Sequence, residues 1–491
     1  MKVLLINPPL QPTSRYGKRL GRVGGVSEPL GLAYIAEVVR ENRKEDVVAI
    51  LDALAQRMSV REVVDFIISH KFDLIGITMF TTAYGIVAEI IRTVKQINPN
   101  IITVVGGYHP SVLPIETMRD VPEIDYTIKS EGEFAFLELL NVLEGRGKID
   151  EIKGLIFRND GHIIMNKNRE YIGNLDILPL PARDLLPMKY YRPAASYYHK
   201  LPAYGLISSR GCPFRCIYCP KILGSSYRIH SSQRIIDELE MLIRDYKAKE
   251  IIFWDSIFAI HRKHGEEICD KIVEAGLNKY ITWTVFSRVD CVDEGILDKM
   301  YKAGCRRIRY GVESGNQRLL DIINKNITLE QVKKIFSVSR KIGFDVTAYF
   351  ILGLPTETRE ESFQTIQFAK GLDTDWVQFT LAVPYPGAPL YKLAKENGDL
   401  ISENWGDYQT WASWAGKDLV YVPKGRTMEE LKELQIRSMR EFYFRFKVIF
   451  RLLRRTKSWA SLKKYLFGGY AILLGRLKSI PLKLKGMHKK R

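Results

Sequence analysis

The sequence predicts an α/β protein: a flavodoxin-like doubly wound domain, then a partial TIM-type barrel, then a helical, strongly basic C-terminal region. Two observations lead to this prediction. Short apolar runs alternate with amphipathic stretches over residues 1–145, and the same alternation resumes over residues 201–400. A chain of 491 residues is also long enough for about two to four domains.

Five apolar runs in the first region predict buried parallel strands. They occupy residues 3–6, 47–51, 74–78, 101–106 and 124–128. Five βα units of this size are typical of a flavodoxin-like sheet, which binds ligands at the carboxyl ends of its strands. We therefore expect ligand contacts at residues 7–9, 78–82, 106–110 and 130–133.

A connector over residues 146–200 follows, with a predicted hairpin around Asn159-Asp160-Gly161. Beyond it, six strands are predicted at residues 203–208, 250–254, 281–286, 306–311, 345–352 and 376–382. Six βα units indicate a (β/α)6 partial barrel over residues 201–400, with its chemistry at the carboxyl ends of the strands. Residues 401–491 form the C-terminal region.

The most specific motif is a cysteine triplet, Cys212, Cys216 and Cys219, directly after the first barrel strand. The spacing C-x3-C-x2-C lets three thiolates ligate three irons of a 4Fe–4S cluster. No fourth cysteine stands nearby, so one iron is left open to bind another molecule. Structural zinc is the alternative, although zinc sites usually have four ligands arranged in pairs. A disulfide framework fits the spacing less well.

Composition and cysteine use indicate the compartment. The 46% hydrophobic and 26% charged residues are typical of a folded soluble protein. No signal peptide is recognisable, and no apolar run approaches the roughly 20 residues that span a bilayer. Iron–sulfur chemistry favours a reducing compartment, so we expect the cytoplasm. Cys269, Cys291 and Cys305 lack ligand-like spacing and are expected in the core, with a second cluster as the alternative.

The cysteine triplet, with Tyr218 before its last member, resembles the radical S-adenosylmethionine (SAM) superfamily. The resemblance implies that the open iron binds SAM and that the cluster reductively cleaves it to a 5′-deoxyadenosyl radical. Cys212, Cys216 and Cys219 would then be the metal ligands and the catalytic residues.

Further motifs fall at strand ends, where this superfamily has them. By resemblance, Tyr218, Asp255, Arg288, Glu313 and residues 353–355 are cofactor-binding candidates, and Gly353 and Pro355 would admit the adenosyl group. Many relatives carry two acidic residues where this chain has Asp255-Ser256, so the resemblance implies no role for an acid at position 256. Taken singly, each motif is an ordinary turn, and only their order after the cysteines supports a site.

The first domain together with the barrel resembles the cobalamin-binding branch of radical SAM enzymes, over about residues 1–400. The matching stretches are Gly106-Gly107-Tyr108-His109-Pro110 and Ser130-Glu131-Gly132-Glu133. The resemblance implies cobalamin contacts from Thr78, Gly106, Gly107, Tyr108 and Glu131. An Asp-x-His-x-x-Gly motif is absent, and this branch can bind cobalamin without a histidine below the cobalt. The alternative is a domain that has kept its fold and lost its ligand.

The resemblance implies functionalisation of an unactivated carbon, with C-methylation of a hydrophobic or lipid-like substrate as the leading prediction. A radical cyclase or carbon–carbon coupling enzyme would use the same cofactors. A tRNA-modifying methylthiotransferase would carry more cysteines before Cys212, and this chain has none there. A non-enzymatic cobalamin or cluster sensor is a further alternative. A flavodoxin or ferredoxin is the expected electron donor.

The net charge of +18 is concentrated in the tail, where residues 440–491 contain 16 Lys or Arg and one acid, Glu441. Apolar residues from Phe442 to Leu453 are predicted on one helical face and basic residues on the other. Such a helix is typical of binding to an anionic membrane surface. A helix packed on the barrel and binding to nucleic acid are the alternatives, and nucleic acid is the least expected.

Overall fold

A computed structural model describes residues 1–11 and 25–454, together with Gly469 and Ile472. Its first sheet has the strand order β2-β1-β3-β4-β5-β6-β7. The first five strands are parallel in the order 2-1-3-4-5, which is the flavodoxin-like order. The strands are β1 Lys2–Asn7, β2 Val47–Asp52, β3 Leu74–Thr78, β4 Ile102–Gly106, β5 Tyr126–Ile128, β6 Leu155–Asn159 and β7 His162–Met165.

Helices cover both faces of this sheet. They are α1 Leu30–Asn42, α2 Val60–Ser69, α3 Tyr84–Ile97, α4 Tyr108–Val112, α5 Pro114–Asp120 and α6 Glu133–Leu143. Apolar residues of α1 and α6 pack on one face, and those of α2 and α3 pack on the other. The strands are therefore buried on both sides, which is why they read as continuous apolar runs rather than alternating ones.

The predicted hairpin forms and extends the first sheet. Strand β6 pairs antiparallel with β5 and with β7. Asp160 and Gly161 between them have φ values of +48° and +77°, as a tight two-residue hairpin turn requires. The connector therefore extends the sheet, and β6 covers the edge that β5 would otherwise expose.

The second sheet has the order β15-β14-β13-β12-β11-β8, with all neighbours parallel. Its strands are β8 Ala203–Leu206, β11 Glu250–Phe253, β12 Thr282–Ser287, β13 Cys305–Glu313, β14 Asp345–Leu352 and β15 Trp376–Leu381. A short antiparallel pair, β9 Ser209–Arg210 and β10 Arg228–Ile229, follows β8. The predicted fold class, a flavodoxin-like domain and a six-stranded partial barrel, is confirmed.

Helices pack around the outside of this second sheet. They are α7 Ser232–Tyr246, α8 Arg262–Glu274, α9 Glu294–Lys302, α10 Gln317–Ile322, α11 Leu329–Ile342, α12 Arg359–Gly371, α13 Pro389–Glu396 and α14 Ala412–Ala415. Cys269 and Cys305 are buried in the core between these helices and the strands, as expected, and Cys291 is half-buried.

The C-terminal helical pattern divides into α15 Met428–Tyr443 and α16 Phe446–Arg454. The continuous amphipathic face predicted from Phe442 onward is therefore interrupted at Phe444. Phe442 is fully buried against the barrel, whereas Phe446 is exposed. The rest of the basic tail, 455–491, lies outside the described residues apart from Gly469 and Ile472. Among the helices that the structure describes, none is both long and apolar enough to cross a bilayer.

Candidate active site

The three motif cysteines line one cavity of about 330 Å³ at the carboxyl end of β8. Their loop is closed by the β9–β10 pair and by a hydrogen bond from Cys212 N to Gly224 O of 3.1 Å. Gly211 has φ of +87°, and a Cβ there would lie 2.0 Å from Ser226 O, so only glycine fits. The turn thus brings Cys212, Cys216 and Cys219 to the same cavity.

Glu313 ends β13 at the cavity beside Tyr218 and Lys325. Its carboxylate accepts hydrogen bonds from Tyr218 Oη at 2.9 Å and from Lys325 Nζ at 2.8 Å. Glu313 also has φ of +72°, a left-handed backbone conformation that is uncommon for a non-glycine residue. A Cβ at Gly311 would lie 2.4 Å from Glu313 Oε1, so the glycine makes room for this carboxylate.

Lys325 is a site residue that sequence analysis missed. It is 4% exposed and lines the cavity of the cysteines. The residues on either side, Asn324 and Asn326, have φ values of +56° and +54°. Asparagine tolerates the left-handed conformation better than most residues, so the Asn-Lys-Asn sequence could have indicated a tight turn at Lys325.

Arg288 lies against the cysteine loop. Its guanidinium donates to Asp290 at 2.9 Å and to the Lys325 carbonyl oxygen, and Nη1 is 3.7 Å from Cys216 Sγ. The same group lies 3.7 Å above the centre of the Phe214 ring. Arg288 therefore holds the cluster loop and lines the cavity at once.

Asp255 is buried next to the start of the cysteine loop. Its carboxylate accepts hydrogen bonds from Ser208 N at 2.7 Å and Ser209 N at 2.9 Å, and also from the Ser208 hydroxyl. Burial raises the pKa of Asp255 to about 6. The residue after it, Ser256, lines the cavity, whereas Asp255 fixes the backbone that leads into the loop.

Gly353 and Pro355 are placed at the end of β14, outside the lining of the cysteine cavity. Gly353 has φ of +78°, and a Cβ there would contact Leu431 of α15 at 3.4 Å. The glycine thus allows the C-terminal helix to approach the strand end.

A second cavity, of about 440 Å³, lies between the first domain and the residues after β15. Tyr108 lines it, and Tyr108 Oη donates to Pro386 O at 2.7 Å across the joint. Its walls also include side-chain hydroxyls and amides from Asn7, Thr81, Thr82, Tyr385, Tyr408, Gln409 and Thr410.

The predicted residues Thr78, Gly106 and Gly107 form the strand ends next to Tyr108. Met79 N donates to Gly106 O at 2.8 Å, which ties the ends of β3 and β4 together. Gly107 has φ of +96°, and a Cβ there would lie 2.7 Å from Thr78 Oγ1. These residues shape the backbone that presents Tyr108 to the cavity.

His109 is buried beneath this cavity. Its Nδ1 lies 3.3 Å from Thr81 Oγ1, and its ring packs between Tyr84 and Trp405. Burial lowers the pKa of His109 to about 4, so the imidazole is neutral. No histidine in the described part of the chain lines the cavity.

Glu131 lies apart from both cavities, in a buried ion-pair cluster between the two domains. Its carboxylate pairs with Arg210 at 3.0 Å and with Arg228 at 2.8 Å, and it accepts from Ile172 N. Arg210 also pairs with Glu133 at 2.7 Å. Because Arg210 and Arg228 belong to β9 and β10, the first domain holds the base of the cysteine loop through this cluster.

The donors present suit the cofactors that the sequence predicts. Three thiols on one loop match the cysteine ligands of a 4Fe–4S cluster with one iron left open. The buried Lys325 ammonium and Glu313 carboxylate beside them suit the charged groups of SAM. The uncharged cavity, with its apolar walls, hydroxyls and amides, suits a flat macrocycle rimmed by amides, which is the form of cobalamin.

Comparison with known families agrees with this organisation. The B12 binding domain family matches residues 18–140, and the radical SAM superfamily matches residues 206–369. An uncharacterized methyltransferase of Pyrococcus horikoshii is 38% identical over 451 residues, 91% of this chain and 94% of that protein. The anaerobic magnesium-protoporphyrin IX monomethyl ester cyclase of Rubrivivax gelatinosus is 28% identical over 408 residues, 82% of this chain and 71% of that protein.

Solved structures share the fold. The cobalamin-dependent SAM radical enzyme OxsB superposes with a TM-score of 0.74 at 17% identity, covering 96% of this chain and 71% of that one. The radical SAM methyltransferase TsrM of Kitasatospora setae superposes with a TM-score of 0.68 at 19% identity, covering 90% and 88%.

The two family matches and the Pyrococcus relative show that this chain belongs to the cobalamin-binding radical SAM enzymes. It is therefore an enzyme, and the alternative of a non-enzymatic sensor is set aside. Its cofactors are those of the family: a 4Fe–4S cluster, SAM and cobalamin. The roles of individual site residues remain predictions, to which the geometry adds Lys325.

Proposed function

We propose that this enzyme methylates an unactivated carbon of a hydrophobic or lipid-like substrate. The observation that carries the proposal is that Pro220, directly after Cys219, lines both cavities. The two sites therefore adjoin at one residue of the cluster loop. A substrate carbon near Pro220 would be within reach of both cofactors, as radical formation followed by methyl transfer requires.

The chain's own residues would bind and orient the cofactors. Cys212, Cys216 and Cys219 would hold the cluster, and Lys325 and Glu313 would contact the charged and hydroxyl groups of SAM. When bound, the cofactors supply a 5′-deoxyadenosyl radical for hydrogen abstraction and a methyl group for transfer. Because the radical itself abstracts the hydrogen, no side-chain base is required, and we nominate none.

The test is anaerobic reconstitution of the full chain, followed by iron and cobalt analysis. The loaded protein is then incubated with reductant, a lipid extract and SAM that carries a trideuteromethyl group. We expect one cobalamin per chain, formation of 5′-deoxyadenosine, and a product heavier by one deuterated methyl group. Protein that binds both cofactors yet never forms 5′-deoxyadenosine would reject the proposal.

A radical cyclase or coupling enzyme is the second candidate, because several relatives are named as magnesium-protoporphyrin IX monomethyl ester cyclases. The same incubation separates the two functions. A cyclase product would gain no mass from the labelled methyl group, and 5′-deoxyadenosine would still form.

A flavodoxin or ferredoxin is the proposed electron donor. Cys219 is exposed at the rim of the cysteine cavity, so a docked protein could approach the cluster closely. Reduced flavodoxin should replace dithionite in producing the paramagnetic signal of the reduced cluster. A cluster that only dithionite reduces would argue against this donor.

We further propose that α16 binds an anionic membrane surface. Phe446, Ile449 and Phe450 on this helix are 92%, 38% and 62% exposed. Two of its basic side chains pair with an acid of the barrel instead: Arg451 pairs with Asp373 at 2.6 Å and Lys447 with the same residue at 3.3 Å. The helix therefore presents aromatic groups outward, beside a tail rich in Lys and Arg, and both features favour an anionic bilayer.

Removal of residues 440–491 is a poor test, because Phe442 and Val448 belong to the barrel core. We instead suggest Phe446→Ser with Phe450→Ser, compared with Tyr280→Ser, which changes an aromatic residue that is 63% exposed elsewhere. Co-sedimentation with phosphatidylglycerol vesicles should fall for the double variant alone. Equal pelleting of all three proteins would reject membrane binding through α16.

A further inference from the structure

Arg309 lies inside the barrel, on the strand that ends at Glu313. Alternate residues of β13 face opposite ways, and Tyr310 points outward, with its hydroxyl 2.9 Å from Ser339 Oγ of α11. Arg309, Gly311 and Glu313 all line the cysteine cavity. At about 3.3 Å per residue, Arg309 sits roughly 13 Å along the strand from Glu313, deeper in the barrel.

The guanidinium of Arg309 is buried, and no acidic side chain of the described residues pairs with it. The side chain is 1% exposed, and Nη2 donates to Tyr197 O at 3.0 Å. Nε and Nη1 are buried and have no hydrogen-bond partner in the part of the chain that the structure describes. Burial lowers the pKa of Arg309 to about 10, so the group is still a cation at neutral pH.

The neighbouring Arg307 shows what a compensated arginine looks like on the same strand. Its guanidinium lies 3.3 Å from the Asp345 carboxylate and donates to Ser196 O at 2.6 Å. A buried charge is costly unless it is paired. Arg307 also has a buried Nε without a hydrogen-bond partner among the described residues, but its charge is paired with Asp345. Arg309 has no such carboxylate in the described structure, so its charge could pair with an anion that enters the cavity.

Two aromatic rings lie close to the Arg309 guanidinium. The Arg309 guanidinium carbon lies 4.2 Å from the centre of the Tyr197 ring and 4.9 Å from that of Phe286. Phe286 in turn stacks on Trp254 at 5.9 Å and on Tyr349 at 6.2 Å. An anion bound here would be attached to an apolar or aromatic body that fits among these rings.

We infer that Arg309, Tyr197, Phe286 and Tyr349 form a substrate subsite in the barrel that binds an oxyanion, a carboxylate or a phosphate, on an otherwise apolar or aromatic substrate. The inference rests on the proposed function, because it deepens the substrate class of the same site. It assigns Arg309 to substrate recognition and positioning, and leaves cleavage of SAM to the residues around the cysteines.

The experiment is calorimetric titration of the anaerobically reconstituted full chain with phenylacetate, benzyl phosphate and benzyl alcohol. The three probes share an aromatic ring and differ in charge. The variants are Arg309→Met, which removes the charge, and Arg309→Lys, which keeps it. Arg359→Met on α12 is the matched control, because it removes an arginine whose side chain is 62% exposed at the surface.

We expect at least one anion to bind the wild type, Arg309→Lys and Arg359→Met, and to bind Arg309→Met at least about tenfold more weakly. Benzyl alcohol should bind all four proteins alike. Preference for phenylacetate identifies a carboxylate substrate, and preference for benzyl phosphate identifies a phosphate substrate.

Two results would overturn the inference: neither anion binds the wild type, or Arg309→Met binds the anions as the wild type does. A changed cluster reduction potential in Arg309→Met with unchanged anion binding would assign Arg309 to the cluster instead, and would overturn it too. Formation of 5′-deoxyadenosine without substrate is measured in parallel. It should persist in the surface control Arg359→Met, and its absence in the wild type would count against the proposed function alone.

Discussion

The two cavities that meet at Pro220 differ in charge. The cysteine cavity is lined by Arg288, Arg309, Glu313 and Lys325, whereas no charged side chain of the described residues lines the interdomain cavity. If the cysteine cavity holds the cluster and SAM, as we propose, fixed ions beside them would stabilise particular charge states during the reaction. A neutral macrocycle in the interdomain cavity would be held by shape and hydrogen bonds instead. The comparison predicts large mutational effects in the first cavity and small ones in the second.

The largest effect is expected for Cys216→Ala, which removes a predicted cluster ligand. Even loss of groups that only support metal ligands lowers activity about 10- to 100-fold, so loss of the ligand should abolish 5′-deoxyadenosine formation. Iron content and product are both measured. Cys269→Ala is the control, because Cys269 is buried in the core, and it should retain both. Full iron content in Cys216→Ala would contradict the assignment.

Next comes Glu131→Gln, which leaves Arg210 and Arg228 buried with one carboxylate fewer. Breaking a buried ion pair costs about 3–5 kcal/mol, and here it should also loosen the base of the cysteine loop. Denaturant unfolding and iron content after reconstitution measure the two effects. Glu138→Gln breaks a more exposed pair with Arg169 and should cost less than about 1 kcal/mol. Equal losses in both variants would show that the buried cluster has no special role.

Lys325→Met should raise the KM for SAM about 10- to 100-fold, because a buried hydrogen bond to a charged group contributes roughly 1.5–3 kcal/mol. Lys325→Arg should recover part of the affinity by keeping the charge. Binding of cobalamin, which we propose for the uncharged cavity, should be unchanged in both variants. An unaltered KM in Lys325→Met would remove Lys325 from the SAM site.

His109, beneath the interdomain cavity, should make the stability of the folded protein depend on pH. His109 has its pKa lowered to about 4 in the folded protein, against about 6.5 in the unfolded chain. Between these values the unfolded chain binds more protons, so stability is lost as pH falls from 6.5 toward 4. At about pH 5 the loss relative to pH 7 is about 2 kcal/mol.

His109→Phe keeps a ring between Tyr84 and Trp405 but cannot titrate. Its denaturant midpoint should therefore fall less than that of the wild type when the pH is lowered. Identical pH profiles for the two proteins would show that His109 does not control acid stability.

The smallest effect is expected for Tyr108→Phe. It removes only the hydrogen bond from Tyr108 Oη to Pro386 O and keeps the ring. One such bond contributes about 1 kcal/mol, so cobalamin affinity should fall only a few-fold. A loss of 100-fold or more would mean that the tyrosine hydroxyl contacts the cofactor itself.

Much of this organisation could be predicted from local pattern. The alternation of apolar runs with amphipathic stretches predicted both parallel sheets, because a strand buried on both faces must be apolar along its length. The spacing of Cys212, Cys216 and Cys219 predicted a cluster loop, because three ligands on one short turn need no distant partner. The C-terminal basic helix was less well predicted. Phe442 and Phe446 were expected on one helical face, but Phe442 is buried against the barrel and Phe446 is exposed.

The sequence by itself therefore determined the fold class and the family, and it supplied the cysteine triplet that is predicted to ligate the cluster. Only the tertiary structure decided that Lys325 meets Glu313 and that Glu131 supports the cysteine loop and not a cavity. It also decided that no acid of the described residues pairs with Arg309. It also decided that the two cavities share Pro220. The physical reason is that the charge balance of a buried group depends on which distant segments pack against it, and neighbours along the chain do not reveal that.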